Sequence, residues 1–152
     1  MNNPRPMSSE PQPFLTFSLG EQKYALPIDV VVEVAAMVEL AEVADSPPEM
    51  SGIANRHGAV LPVFDLRLVF GHEAAPVNLS TLFIVAAHDG QTVGLVVDEV
   101  HQVEYIQPSR QSSTTGKYIH DIVSHKGQLV QLISLPALLE SITGTRYFEG
   151  HD

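Results

Sequence analysis

The side chains best equipped for chemistry here are seven histidines, the aspartates Asp65 and Asp98, and a run of hydroxyls at Ser112-Ser113-Thr114-Thr115. Imidazoles ligate metals, and His120 and His125 with His57, His88 or His101 would be the donor set to test. The spacing opposes it. His120 and His125 lie five apart on a predicted strand, which sends them to opposite faces. The chain has no His-Glu-x-x-His pattern and no cysteine, so the compact metal-binding spacings are missing. Structural or surface histidines, and no metal, are expected. As catalytic acids Asp65 and Asp98 lack a partner at a telling spacing, so they read as helix-cap or turn carboxylates accepting backbone N–H bonds. The hydroxyl run has no Gly-x-Ser-x-Gly elbow around it and reads as a solvated loop. The prediction is a protein with no catalytic residues and no cofactor.

The elements that would position these groups are short strands. Leu15, Phe17 and Leu19 alternate with Thr16 and Ser18, and Tyr24, Leu26 and Ile28 alternate after the Gly20–Lys23 turn, which predicts a hairpin. Asp29 is placed as an N-cap of a short helical turn, although the β-branched Val30-Val31-Val32 fits a continued strand equally well. After the Pro47-Pro48 break, Ile53–Phe64 predicts a second hairpin that turns at Asn55–Gly58. Pro62 cannot donate to a ladder and predicts an edge or a bulge. Leu66–Phe70 reads as a short helix stopped by Gly71. Beyond the 71–78 linker come a strand at Leu79–Ala87, the Asp89-Gly90 turn and a return along Val93, Leu95 and Val97. A mobile loop is expected at Gln107–Lys117, a last hairpin at Tyr118–His125 with Leu129–Ile133, and a closing helix at Leu135–Ile142.

These elements form one pattern written twice at an offset of 69 residues, without gaps. Phe14 falls on Phe83, Gln22 on Gln91, Leu26 on Leu95, Asp29 on Asp98, Val31 on Val100, Val34 on Val103, Ile53 on Ile122, Gly58 on Gly127 and Leu66 on Leu135. The apolar classes of Val60–Leu66 overlay those of Leu129–Leu135. A duplicated unit implies two similar subdomains around a shared core, and short strands at this spacing suggest small barrels or a sandwich. The expected boundaries are a disordered lead-in at 1–13, one domain at 14–140 built from subdomains at about 14–75 and 79–140, and a tail at 141–152. Exchange of strands between the subdomains is left open.

Composition narrows the function classes. The 152 residues carry a net charge of −10 with only eight Lys and Arg. Phosphate surfaces need clustered cations, so nucleic acid and anionic membrane are not expected partners. No apolar run is long enough to span a bilayer, and Met1–Pro13 has no apolar core of a signal peptide. A soluble, acidic, intracellular domain is expected.

Three stretches in order carry a family resemblance. They are Phe14–Tyr24 with Val32-Glu33-Val34; Ser46-Pro47-Pro48 with Gly52–Asn55; and Val60-Leu61-Pro62-Val63-Phe64-Asp65-Leu66-Arg67. Val93–Val100 adds a fourth in the second copy. Together they resemble the CheW family, the adaptors that couple chemoreceptors to the histidine kinase CheA in bacterial chemosensory arrays. The resemblance covers roughly Phe14 to Leu139. It implies a mainly β protein of two five-stranded, SH3-like β barrels with short helices, and a cytoplasmic scaffold without enzymatic activity. The implied partners are the regulatory domain of a CheA-type kinase and the cytoplasmic tip of a receptor, with self-association inside arrays. No direct membrane insertion is implied.

By motif alignment, the receptor-side positions are Val31, Glu33, Gly52 and His57, with Gly58 as the turn glycine that permits positive φ. Read without the family, Val31 would be core packing, Gly52 a tight turn and Glu33 a solvated strand-end charge. The chain departs from the family's Asn-x-Arg-Gly turn, since Asn55-Arg56-His57-Gly58 puts histidine in the arginine place. A shift of one residue along a strand moves a side chain to the other face, so Arg56 is not expected to substitute for that arginine. The departure raises an alternative, a divergent CheW-fold binding module in surface motility, biofilm or gene regulation with a different partner.

Overall fold

The alternating stretches become ten strands. In the computed structural model the described residues are 10–108 and 116–143. The first copy contributes β1 (Gln12–Leu19), β2 (Gln22–Pro27), β3 (Val31–Ala36), β4 (Met50–Arg56), β5 (Ala59–Asp65) and helix α1 (Leu66–Val69). The second contributes β6 (Leu82–His88), β7 (Gln91–Val96), β8 (Glu99–Ile106), β9 (Ile119–His125), β10 (Gln128–Ile133) and helix α2 (Leu135–Thr143). They form two five-stranded sheets, in the orders β8-β1-β2-β10-β9 and β3-β6-β7-β5-β4.

The sheets do not follow the copies. Each takes the opening hairpin of one copy and the last three strands of the other, and exchanging every strand for its mate 69 residues away turns the second order into the first. The chain crosses between sheets at Ile28–Val30, a single 3-10 turn, and again at Asp98, between β7 and β8. Neither copy contains a whole sheet, so each depends on the other for its ladders.

Packing shows the same duplication. Phe14, Ala25, Ile106, Val123, Val130 and Leu132 fill a core that belongs to the first sheet. Their equivalents Phe83, Met37, Ala54, Leu61 and Val63 fill a matching core in the second. On the opposite faces, Leu15, Phe17, Leu26, Ile84, Leu95 and Phe64 meet in a core shared by both sheets. Strands buried on both faces read as continuous apolar runs, which is why Leu82–Ala87 and Val93–Val97 show no polar alternation. Phe17, Leu26 and Leu95 are fully buried, and each such side chain stabilises the fold by about 2 kcal/mol relative to exposure.

Several expectations are corrected. Asp29 does not cap the turn at the first crossing. Pro27 holds the cap position without a side-chain bond, and strand resumes at Val31, as the β-branched run allows. Gln12 and Pro13 belong to β1, opposite Ile106 and Tyr105 on β8, so order begins before Phe14. The strand expected from Leu79 starts at Leu82, because Asn78 and Thr81 close a turn in front of it. Pro62 lies neither on an edge strand nor at a bulge, since β5 sits between β4 and β7. The β7 register begins only at Val63, so at Pro62 that side of β5 has no registered partner and the missing donor costs nothing. The expected loop at Ser112–Thr115 and most of the tail fall outside the described residues.

Candidate docking site

Glu33 lies within β3 and turns inward, opposite Val85 of the sheet interior. It is a partly exposed charge in mid-strand, not at the strand end. Its Oε2 accepts a hydrogen bond of 2.8 Å from Arg56 Nε on β4. β3 and β4 are the outermost strands of their sheet, so this ion pair joins one edge to the other. Nearby, Ala41 in the segment after β3 and Ile53 on β4 exchange two N–H···O bonds of 2.9 Å. Gly52 lies under that closure. A Cβ there would stand 2.7 Å from the Ala41 carbonyl oxygen, and its φ is +150°. The glycine is buried and fixed by close approach of backbone, so its first role is to let the edge close rather than to present a surface.

His57 and Gly58 form the two-residue turn of the β4–β5 hairpin, at φ +54° and +83°. Two positive values in succession suit the twist of a tight hairpin, and the Asn55 carboxamide oxygen accepts the Gly58 N–H at 3.0 Å. His57 is exposed at the tip, whereas the Arg56 guanidinium folds back onto Glu33. The arginine one residue early therefore serves the sheet edge, as the strand-period argument expects. Val31 is half-buried on β3 and packs against the shared core. Between the hairpin and the β6–β7 turn runs a groove of about 550 Å³, with Val43, Ile53, Val60 and Leu61 among its walls and Arg56 as its cation. Its strand residues all belong to one sheet.

The expected helix-cap role of Asp65 is present, since its Oδ1 accepts the Arg67 N–H at 3.0 Å. The sequence reading missed the partner of both aspartates. Arg67, 3 % exposed, makes a fork on Asp65 with two bonds of 2.9 Å, reaches Asp98 at 3.2 Å and donates to the Ala75 carbonyl at 3.0 Å. Asp98 in turn accepts the Gly20 N–H at 2.6 Å. The Asp65 hydrogen bonds lift Arg67 further above its ordinary value, burial opposing them. Asp65-x-Arg67 was the available signal, because a planar fork beside a carboxylate favours a bidentate pair.

In the other sheet Glu104 on β8 gathers His125 of β9 at 2.9 Å and Lys23 of β2 at 3.2 Å. Burial opposes its charge, but the bonds from Lys23, Gln102 and His125 outweigh it and hold the carboxyl below its ordinary value. Among the described residues no group of three or more His, Asp or Glu could hold a metal. Among those residues no helix is long and apolar enough to cross a membrane.

The model of the CheW-like domain family matches residues 13–143. The chain belongs to the CheW family. A protein of Klebsiella aerogenes named chemotaxis protein CheW is 28% identical over 137 residues, covering 86% of this chain and 82% of the relative. One of Helicobacter pylori with the same name is 32% identical over 87 residues, 57% of this chain and 53% of the relative. The crystal structure of the scaffolding protein TtCheW from Thermoanaerobacter tengcongensis is similar at a TM-score of 0.72 and 28% identity, over 82% of this chain and 89% of that one. The CheW-family chain is therefore mainly β, with two five-stranded sheets and few helices.

Proposed function

We propose that this chain is a non-enzymatic cytoplasmic adaptor that couples the cytoplasmic tip of a chemoreceptor to the regulatory domain of a CheA-type histidine kinase. The observation that carries the reading is an apolar groove beside the Glu33–Arg56 closure, flanked by an exposed hairpin tip, in a chain of the CheW family. Val31, Glu33, His57 and Gly58 are assigned to the partner-facing side, and Gly52 to holding that side in shape. Each contact can be modest, because in an array many are made at once. A receptor then regulates the kinase by favouring one geometry of the docked adaptor.

Calorimetric titration with the kinase regulatory domain tests this. Saturable binding near one-to-one is expected, and no binding overturns the kinase link. The histidine in the family's arginine place favours a second reading, a CheW-fold module that serves a different partner. That reading expects no binding to a receptor tip, and failure to bind the kinase domain would favour it further.

A further inference from the structure

The two crossings between sheets are equivalent under the 69-residue offset, yet among the described residues only one holds a guanidinium. At the crossing by Asp98, the Arg67 guanidinium lies between Asp65 and Asp98 and closes the gap between the sheets. At the other crossing Asp29 takes the place of Asp98, Ser134 that of Asp65 and Pro136 that of Arg67. Among the described residues no guanidinium is supplied there. A cavity of about 420 Å³ stands in its stead, with Phe14, Ile28, Asp29, Ser134 and Pro136 among its lining residues. Asp29 is exposed and makes no hydrogen bond or ion pair among the described residues.

We propose that this cavity receives an arginine side chain from a partner protein, which supplies in trans what Arg67 supplies within the chain. The chemistry is one-sided. A carboxylate without a partner among the described residues sits at the mate of a position that elsewhere takes a guanidinium, in a chain of net charge −10. Phe14, Ile28 and Pro136 offer apolar walls to the aliphatic stem of an arginine, and Asp29 offers two oxygens to its fork. Lysine fits less well, because a strongly hydrated point charge gives up more solvation and cannot form the fork. The volume exceeds one side chain, so residues flanking the arginine enter with it. The site does not depend on which kinase or receptor the protein engages.

The test is a titration of the 15N-labelled full chain with arginine amide, with lysine amide and citrulline amide as controls, followed by amide shifts. Saturable shifts at Asp29, Val30 and Leu135 are expected with arginine amide, several-fold weaker ones with lysine amide, and none with citrulline amide. Asp29→Asn should remove the response, and Pro136→Arg should remove it while raising the unfolding midpoint, because the guanidinium would then be supplied in cis. Shifts that persist in Asp29→Asn, that map elsewhere, or that fail to appear in the wild type overturn the proposal. Asp29 is exposed, so that variant folds and decides the question even if Pro136→Arg does not.

Discussion

Arg56 and His125 occupy the same position in the two copies, and each holds a carboxylate on the opposite outermost strand of its sheet. Arg56 takes Glu33 of β3, and His125 takes Glu104 of β8. Gln102, the offset mate of Glu33, donates to Glu104 instead, so the acid has moved two residues along the strand and kept its face. One device, a side-chain nitrogen on the fourth strand of the copy meeting an acid on the third, links the outer strands of both sheets.

The Glu33–Arg56 pair separates structure from docking. Its side chains are 38% and 26% exposed, so solvent screens the attraction and Glu33→Ala should cost only about 0–1 kcal/mol in urea unfolding. If Glu33 also faces a partner, the same substitution should weaken kinase or receptor binding by about tenfold, roughly 1.4 kcal/mol. The exchange of Glu33→Arg with Arg56→Glu should restore stability and leave binding impaired. Binding that returns with stability would assign both residues to the edge closure alone.

Arg67 should behave differently. It is buried among Asp65, Asp98 and the Ala75 carbonyl, and Arg67→Met leaves two carboxylates facing each other without a cation. Removing one member of a buried network costs about 3–5 kcal/mol, against which the methionine recovers some packing. Denaturant unfolding of Arg67→Met and of Arg67→Met with Asp65→Asn should show the double variant to be the more stable. A single variant within 1 kcal/mol of wild type, roughly the scale of a surface pair, would mean that the network contributes little.

Much of this was legible in the sequence, for physical reasons. The repeat places the hairpins because identical apolar spacing at 69 residues forces identical burial, as Phe14 with Phe83 and Leu26 with Leu95 show. The mixing of copies within each sheet was not legible, since period-two patterning fixes faces but not which strand lies beside which. Asp29 was misplaced as a cap because β-branched residues after it favour strand, and tertiary pairing of Val31 with Ala86 decided for strand. The role of Gly52 was hidden too. A tight turn and a close backbone approach leave the same residue in a sequence, and only the Ala41 oxygen distinguishes them.

Glu104 predicts an acid-sensitive stability. Its folded carboxyl is held below its ordinary value, so between the folded and unfolded values the unfolded chain binds more protons. Its contribution is thus fully present above the unfolded value and is lost as pH falls through the folded one. Unfolding free energy measured from pH 7 down to pH 3 should fall more steeply in wild type than in Glu104→Gln, and the variant should already be less stable at pH 7. Parallel curves would remove Glu104 from the account of acid lability.

His57→Arg restores the family's turn and isolates the departure. The side chain is exposed at φ +54°, where Gly58 and the Asn55 oxygen keep the turn closed, so stability should change by no more than about 0.5 kcal/mol. The gain of a permanent charge and a fork of donors should act only on a partner that offers carboxylates at the hairpin tip. Titration of receptor-tip peptide hairpins against both forms decides between the two functional readings. Tighter binding by His57→Arg alone would mean that this chain has drifted from a chemoreceptor contact. Equal binding by both forms would mean that the tip is not what the receptor reads, and equal failure would favour a different partner.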